Sequence, residues 1–170
     1  MAVDPEEFYE EEVNRIIESG NKLLGSNFRF FVKDCPALSN LVVSCSPALP
    51  GRHLIEAIPG AHGVEVPEPG PLKTGGQFNV TFNDSFEGKA FEEIVDWAKA
   101  SNIAGFRKDV RIYGTHELGN SKFDMTYTYC FPELNDAELD YANKTTPAKF
   151  SFVLHFANRK VTKDKDKGNS

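Results

Sequence analysis

The most constraining feature of the chain is a set of segments in which large apolar side chains alternate with polar ones. The last of them, "AKFSFVLHFA" (residues 148–157), places Phe150, Phe152, Leu154 and Phe156 opposite Ser151, Val153 and His155. Successive side chains of a β-strand point to opposite faces, so a period of two predicts a strand with one buried face. A chain with several such segments is expected to fold mainly as β-sheet.

The same period recurs along the chain, in "FRFFV", "QFNVTFN", "DVRIYGT" and "KFDMTYTYCF", and predicts about six or seven strands. In a further run, Leu41, Val43 and Cys45 are expected to share one face. In "KFDMTYTYCF", the expected core face carries Met125, Tyr127, Tyr129 and Phe131, and the opposite face carries Asp124, Thr126, Thr128 and Cys130. With 14 phenylalanines, the core is expected to be largely aromatic.

Two segments have helical spacing instead. Near the N-terminus, Asp4 and Pro5 are typical of a helix start, and the apolar stripe comprises Phe8, Val13, Ile16, Ile17 and Leu24. This stripe can pack on its own domain or dock on a neighbouring subunit. A second helix is predicted over 84–99, capped by Asp84, with Phe91, Ile94, Val95 and Ala98 on its buried stripe and Trp97 at the edge.

Residues 46–76 hold most of the prolines and many glycines, and also several large apolar side chains. Flexible linkers seldom carry so many apolar residues, so this long loop is expected to be ordered by contact with something. The predicted organisation is a single domain over 1–170. It comprises an N-terminal helical arm (1–26), a β core (27–158) and a flexible charged tail (159–170).

The strand containing "TYTYCF" meets a proline at position 132 and is followed by an acidic stretch. Proline cannot donate to a ladder, so Phe131 and Pro132 are predicted to mark a strand end and a corner of the fold. The acidic residues Glu133, Asp136, Glu138 and Asp140 are expected to form a solvated or interface-facing loop. Their spacing gives no reason to expect the convergence that glycoside chemistry requires.

Charge and cysteine content exclude several classes of protein. A formal net charge of −6 opposes tight binding to nucleic acid or anionic lipid. Cys35, Cys45 and Cys130 form neither a disulfide framework nor a metal motif, although Cys130, on the predicted polar face, could cross-link subunits. There is no long apolar span, and the N-terminus is acidic where a signal peptide would be basic, so folding in the cytoplasm without a membrane anchor is expected.

The sequence contains no recognisable catalytic constellation. His53, His62, His116 and His155 lack metal-ligand spacing, and "GPLKTGG" lacks the order of a phosphate-binding loop. We therefore predict no catalytic residues, no metal and no cofactor, and a protein that is not an enzyme.

The order of segments, however, resembles a known family. "EVNRIIESGN", "FRFFVKDCP", "VVSCSPALPGRHL", "GQFNVTFNDSFEGKAFEEIVDWAKA", "TYTYCFPELNDAELDY" and "AKFSFVLHFANRKV" together resemble the tail tube protein of contractile-tailed, T4-like bacteriophages. The likeness rests on the "ALPG" corner, the "VTF" strand before "FEEIVDW", the "FP" break and the alternating final strand. The chain departs from the family in the proline-rich loop at 46–76 and in the lysine-rich tail after Val161.

This resemblance implies two packed antiparallel sheets with a flanking helix, a fold shared with the type VI secretion tube protein. It also implies hexameric rings that stack into a tube inside a contractile sheath, with sheath, baseplate and tail terminator proteins as partners. DNA would pass through without specific binding. Six copies at −6 each would give a ring a formal charge of −36, so an acidic channel would repel phosphate. The location would be the virion, assembled in the bacterial cytoplasm.

Two surfaces are candidates for contacts in such an assembly. The apolar residues of the loop are expected to contact the next subunit or ring; they are Leu49, Pro50, Leu54, Ile55, Ile58, Val64, Val66 and Leu72. The polar strand faces, Asn79, Thr81 and Asn83 with Asp124, Thr126 and Thr128, suit a channel wall or a neighbouring subunit. Within the same class, a type VI secreted tube protein or a baseplate tube initiator remains open. From a different class, a small-ligand-binding β module or hydrolase remains open.

Overall fold

The computed structural model describes residues 5–18, 25, 27–59, 61–63, 65–116, 119–137, 139, 141–142, 144–145 and 147–162. Its helices are α1 (Pro5–Glu18), α2 (Pro36–Leu41) and α3 (Lys89–Ala100). Its strands are β1 (Phe28–Val32), β2 (Val42–Cys45), β3 (Arg52–Pro59), β4 (Glu65–Leu72), β5 (Gly76–Asn83), β6 (Lys108–His116), β7 (Gly119–Leu134), β8 (Lys149–Phe156) and β9 (Asn158–Val161). The predicted class, mainly β with flanking helices, is confirmed.

Seven strands form one antiparallel sheet that is shared between two halves by the long strand β7. In the first half, the early part of β7 lies between β6 and β9, and β6 pairs with β1. In the second half, Phe131–Leu134 pairs with β8, which pairs with β5, and β5 with β2. The strand order is β1-β6-β7-β8-β5-β2, and in the described part of the chain the edge strands β1 and β2 do not pair with each other. The architecture is therefore an open sandwich or barrel.

The core lies between the two halves and is aromatic, as the composition predicts. Tyr127 from the first half packs against Phe78 and Phe156 from the second, each at a ring-centroid distance of 4.9 Å. The predicted core faces of β1 (Phe28, Phe30, Val32), β5 (Phe78, Val80, Phe82) and β8 (Phe150, Phe152, Leu154, Phe156) are confirmed. All of these side chains are buried except Phe28 and Phe150, which are partly buried against the core. Tilted aromatic pairs of this kind add about 0.5–1.5 kcal/mol each beyond their buried area.

A β-bulge in β7 overturns the predicted alternation beyond Tyr127. Lys108 pairs with Cys130 but Val110 pairs with Tyr127, so β7 has one extra residue there, and Tyr129 has a positive φ of 61°. The extra residue exchanges the two faces. Tyr129, expected in the core, is about half exposed, and Cys130, expected on the polar face, is fully buried.

The prediction that the strand ends at Phe131 and Pro132 is wrong, because β7 continues to Leu134. Beyond the pairing of Cys130 with Lys108, β6 has ended and β7 pairs only with β8. A strand that is paired on one side tolerates a residue without an N–H, so Pro132 is accommodated inside the strand and is buried. This is the point at which β7 passes from one half of the sheet to the other.

The second helix begins five residues later than predicted. The segment 84–88 forms a turn in which Asp84 still acts as a cap, because its carboxylate accepts hydrogen bonds from the amides of Phe91 (2.9 Å) and Ala90 (3.3 Å). The buried stripe of α3 is Ala90, Ile94 and Trp97, and Phe91 is half exposed. The predicted and observed stripes both have helical spacing and share Ile94. A helix with so wide an apolar surface does not reveal from sequence alone which side faces the core.

The sequence analysis did not predict helix α2, which occupies part of the segment expected to form the second strand. Leu41 ends the helix and Val43 is about half exposed, so Leu41, Val43 and Cys45 do not form one strand face. Pro36 begins the helix, but the preceding Cys35 makes no capping hydrogen bond with its side chain. The cap comes from α3, where the Glu93 carboxylate accepts from the amides of Leu38 (2.9 Å) and Ala37 (3.4 Å).

The remaining corrections concern the ends and the loop. Residues 158–161, assigned by sequence to the core end and the flexible tail, form β9 on β7. The loop over 46–76 contains the two strands β3 and β4. On α1, Val13 and Ile17 are exposed and so do not pack in the core; the side chains of Phe8 and Ile16, and all of Leu24, lie outside the described part of the chain, as does the tail from 163.

Candidate assembly surface

The candidate surface is the β3–β4 hairpin, a two-stranded sheet separate from the seven-stranded one. Arg52 pairs with Leu72, Leu54 with Pro69 and Ile55 with Glu68. Its large apolar side chains are exposed: Leu54 by 75%, Val66 and Leu72 by 61% each, and Ile55 by 43%; Leu49, just before β3, is exposed by 59%. Pro50 is also exposed, while the Ile58 side chain and Val64 lie outside the described residues.

The hairpin is built tightly on itself despite its exposure. Among the described residues of the hairpin Gly70 is buried, and a Cβ there would lie 2.9 Å from the His53 carbonyl oxygen and 3.2 Å from Cγ1 of Ile55. The Lys73 amide donates to the Gly51 carbonyl at 2.9 Å and closes the base. An isolated two-stranded hairpin is only marginally stable in water, so a surface that covered these exposed apolar side chains would add to its stability.

The polar strand residues predicted from sequence lie on two different outer faces. Asn79, Thr81 and Asn83 alternate with the core residues of β5 in the second half, and Asp124, Thr126 and Thr128 alternate with Met125 and Tyr127 in the first half. The core lies between these faces, so the two sets do not come together. At most one of them can belong to a given wall.

On the outer face of the first half, Asp124 is hydrogen-bonded to Arg111 and Thr162. The Arg111 Nε–H donates to Oδ1 of Asp124 at 2.9 Å, and the Asp124 carbonyl accepts from the Thr162 amide at 2.8 Å. The hydrogen bond from Arg111 lowers the pKa of the Asp124 carboxyl, while partial burial opposes this shift. The Thr126 and Thr162 hydroxyls are 2.5 Å apart, so the residue that follows β9 is also held to β7 by a side-chain hydrogen bond.

Near the change of partners in β7, a small aromatic cluster occupies the surface. The His155 ring stacks on Phe131 at 5.0 Å, and its Nε2 lies 2.6 Å from Oε2 of Glu133. The Arg107 guanidinium lies over Phe131 and Tyr129, at 5.3 and 5.5 Å from the ring centroids. Of the four carboxylates considered from sequence, Glu133 is paired with His155 and exposed, Asp136 is exposed, and Glu138 and Asp140 lie outside the described residues.

The thiols are not placed for chemistry. Burial raises the pKa of Cys45 to about 11 and that of Cys130 to about 12, and it also raises the pKa of Cys35. Cys130 Sγ donates to the Tyr127 carbonyl at 3.3 Å. The predicted cross-link through Cys130 is therefore wrong for the folded subunit, because the bulge at Tyr129 turns this thiol into the core.

Among the described residues, no group of three or more histidine, cysteine or acidic side chains could hold a metal ion. None of the described helices has the length and apolar character needed to span a membrane.

Solved structures with the same architecture come from contractile injection systems. The tube-terminating cap of the anti-feeding prophage aligns with a TM-score of 0.62 at 16% identity, over 85% of this chain and 93% of that one. The sheath/tube terminator of the PVC extracellular contractile injection system aligns at 0.62 and 19%, over 85% and 99%. The chain therefore shares the fold of these tube-terminating proteins. A chain of the PVC sheath-tube complex aligns at 0.59 and 19%, over 87% and 97%.

At the sequence level, neither the protein-family models nor the curated proteins gave a match. The structural likeness nevertheless spans nearly the whole length of each of these subunits, so it concerns the entire β core and not a shared motif. It agrees with the relationship to tube proteins that the segment order implies.

Sequence reasoning located the apolar residues of the hairpin but missed its form. The prolines and glycines of 46–76 hide the strand signal, since Pro67, Pro69 and Pro71 interrupt any alternation. Proline is acceptable at these positions because β4 pairs on one side only, with β3. The segment "RHLIEAI" follows a "PG" turn signal, and this order could have predicted a strand there.

Proposed function

We propose that this protein is a non-enzymatic structural subunit of the inner tube of a contractile particle, or of the ring that terminates such a tube. The observation that carries the proposal is the near full-length likeness in fold to a tube-terminating cap and a sheath/tube terminator. We further propose that the subunits form hexameric rings, as the resemblance to phage tube proteins implies, and that sheath and baseplate proteins are the partners.

The exposed hairpin supports this role. A monomer that displayed Leu54, Val66 and Leu72 permanently to water would leave apolar area uncovered, and each such side chain contributes about 1.5–3 kcal/mol when fully buried. Covering the hairpin with the next copy gives a favourable contribution that can offset the repulsion between subunits of net charge −6. In this proposal the hairpin is the main contact between subunits.

The net charge supports a channel that does not retain nucleic acid. Negative charge on a wall repels phosphate over about one Debye length, roughly 8 Å at physiological salt, so a polyanion would move along the axis without binding. In a bacteriophage the cargo would be DNA, and the particle would be assembled in the bacterial cytoplasm and form part of the virion. In an extracellular injection system of the kind represented by the structural neighbours, the same tube would serve a phage-tail-like particle.

Concentrated purified protein tests the proposal by negative-stain electron microscopy and mass photometry. We expect rings, or stacked rings, whose fraction rises with protein concentration and with salt, because salt screens repulsion between acidic subunits. Stacks of indefinite length favour a tube subunit, and single rings favour a terminating role. A chain that stays monomeric at every concentration and salt would contradict the proposal.

A matched pair of variants tests the hairpin. Leu54→Asp places a charge on the hairpin, and Ile103→Asp makes the same kind of change at an aliphatic side chain that is 56% exposed elsewhere. We expect Leu54→Asp to remove assembly without unfolding the monomer and Ile103→Asp to leave assembly intact. Equal assembly by both variants would show that the hairpin is not the contact.

A further inference from the structure

One arginine of β9 binds both ends of the hairpin. The Arg159 guanidinium donates from Nη1 to the Leu49 carbonyl at 3.1 Å, from Nη2 to the Gly75 carbonyl at 2.8 Å and from Nε to the Thr74 carbonyl at 3.4 Å. Leu49 precedes β3, and Thr74 and Gly75 follow β4. A single planar group therefore ties the chain entering the hairpin to the chain leaving it.

The Arg159 guanidinium packs closely against Phe156 and Gly76. Its Cζ lies 5.0 Å from the ring centroid of Phe156, which is buried in the core, so the cation packs against an aromatic ring that the core holds in place. A Cβ on Gly76 would lie 3.0 Å from Nη2 of Arg159 and 3.2 Å from the Phe156 ring. The absence of a side chain at Gly76 therefore leaves room for the arginine.

Backbone pairing holds β2 and β5, the strands before and after the hairpin, in the main sheet, and two further hydrogen bonds lie nearer its root. The bond from the Lys73 amide to Gly51 closes the hairpin on itself and does not fix it to the barrel. The Tyr127 hydroxyl donates to the Ala48 carbonyl at 2.7 Å and so holds only the entering chain. Arg159 adds the link that joins both chains to β9, which is itself paired with β7 in the main sheet.

We propose that Arg159 is a positioning residue that fixes the direction in which the hairpin leaves the barrel, and so prepares its apolar side chains for a neighbouring copy. The inference rests on the proposed function, because it assigns the hairpin to subunit contact. Pre-ordering of a contact segment lowers the conformational cost of association. The planar fork of arginine has several N–H groups in fixed directions, so it holds three carbonyls in a defined arrangement better than a lysine ammonium does.

Hydrogen exchange of the dilute monomer, followed by mass spectrometry, tests the clamp without requiring assembly. In Arg159→Ala we expect peptides covering residues 48–76 to exchange about tenfold faster or more, while peptides from β5 and β8 keep the parental rate. Lys160→Ala is the control, since it removes the same charge from the adjacent, exposed position. Equal exchange in the two variants over 48–76 would overturn the inference.

Arg159→Lys keeps the positive charge but not the fork, and it decides the matter if Arg159→Ala does not fold. We expect its exchange over 48–76 to lie between those of the parental chain and Arg159→Ala, and in any case above the parental rate. A parental rate in Arg159→Lys would show that charge near the root, and not the arginine geometry, is sufficient, and would overturn the proposal.

Assembly provides the second measurement. We expect the protein concentration that gives half-maximal ring formation to rise at least about tenfold in Arg159→Ala and to be unchanged in Lys160→Ala. Faster exchange with unchanged ring formation would overturn the positioning role. If the parental chain forms no rings, the proposed function fails, while the exchange comparison still establishes or overturns the clamp itself.

Discussion

Replacement of Glu93 is expected to weaken α2, a helix to which Glu93 does not belong. The first turn of α2 has two amides without helical partners, those of Ala37 and Leu38, because Pro36 has no N–H and the Cys35 side chain makes no capping bond. The Glu93 carboxylate accepts from both, at 3.4 and 2.9 Å. Leu38 is fully buried, so its amide has no access to water as an alternative acceptor.

The loss of stability depends on which hydrogen-bond acceptor, if any, remains for the two amides in each variant. A hydrogen bond to a charged acceptor contributes about 1.5–3 kcal/mol, and a neutral one about 0.5–1.5 kcal/mol. The contact at 3.4 Å is long, so the bond to Leu38 dominates. Glu93→Gln, which can keep a neutral acceptor, should lower the free energy of unfolding by about 1 kcal/mol, and Glu93→Ala by about 2 kcal/mol.

Urea unfolding followed by the fluorescence of Trp97, the only tryptophan, measures the effect. Glu92→Gln is the matched control, since Glu92 is the exposed neighbour in the same turn and should change stability by less than about 0.5 kcal/mol. In thermal unfolding, 1 kcal/mol corresponds to roughly 2–4 °C for a chain of this size. If Glu93→Ala and Glu92→Gln unfold at the same urea concentration, the long-range cap does not stabilise the protein.

Three further predictions follow from the core and the first-half surface. Asp124→Asn should lower the free energy of unfolding by about 0.5–1 kcal/mol at neutral pH. Because Arg111 lowers the pKa of Asp124 in the folded chain, this stabilisation is present above the ordinary pKa of 3.8 and is lost as the pH falls below it. The acid denaturation curves of the variant and parental chains should therefore converge at low pH. At pH 8, Cys130 in the folded chain should react with a thiol reagent about a thousandfold more slowly than an ordinary thiol, and a non-reducing gel should show monomer; rapid labelling without unfolding would contradict its burial. Tyr129→Val should be less stable than Tyr129→Asn by about 1–2 kcal/mol in urea, because a β-branched residue tolerates the positive φ poorly; equal stability would argue against the bulge.

Regular alternation was sufficient to predict β5 and β8, two of the strands that form the core. In β5 and β8, a period of two over eight residues placed Val80, Phe82, Phe152 and Leu154 correctly, because a strand with one buried face has only two possible assignments. The order of these strands relative to the helix also carried the resemblance to tube proteins.

The failures have specific physical causes. The bulge at Tyr129 is one extra residue, and no residue type in "TYTYCF" signals a positive φ there, so the faces of Cys130 and Phe131 could not be predicted. Helix α2 depends on an acceptor 55 residues away in sequence. The root of the hairpin depends on Arg159, which lies 110 residues beyond Leu49 and was assigned to a flexible tail. Contacts at such separations have no local pattern.

The strand β7 has a mechanical consequence. Its backbone passes without interruption from the first half of the sheet to the second, and it is laddered to β6 and β9 on one side of the crossing and to β8 on the other. A force that pulls the two halves apart is therefore borne by a covalent chain as well as by the packing of the core. In the proposed tube, load on one half of a subunit would pass to the other half through this continuous strand.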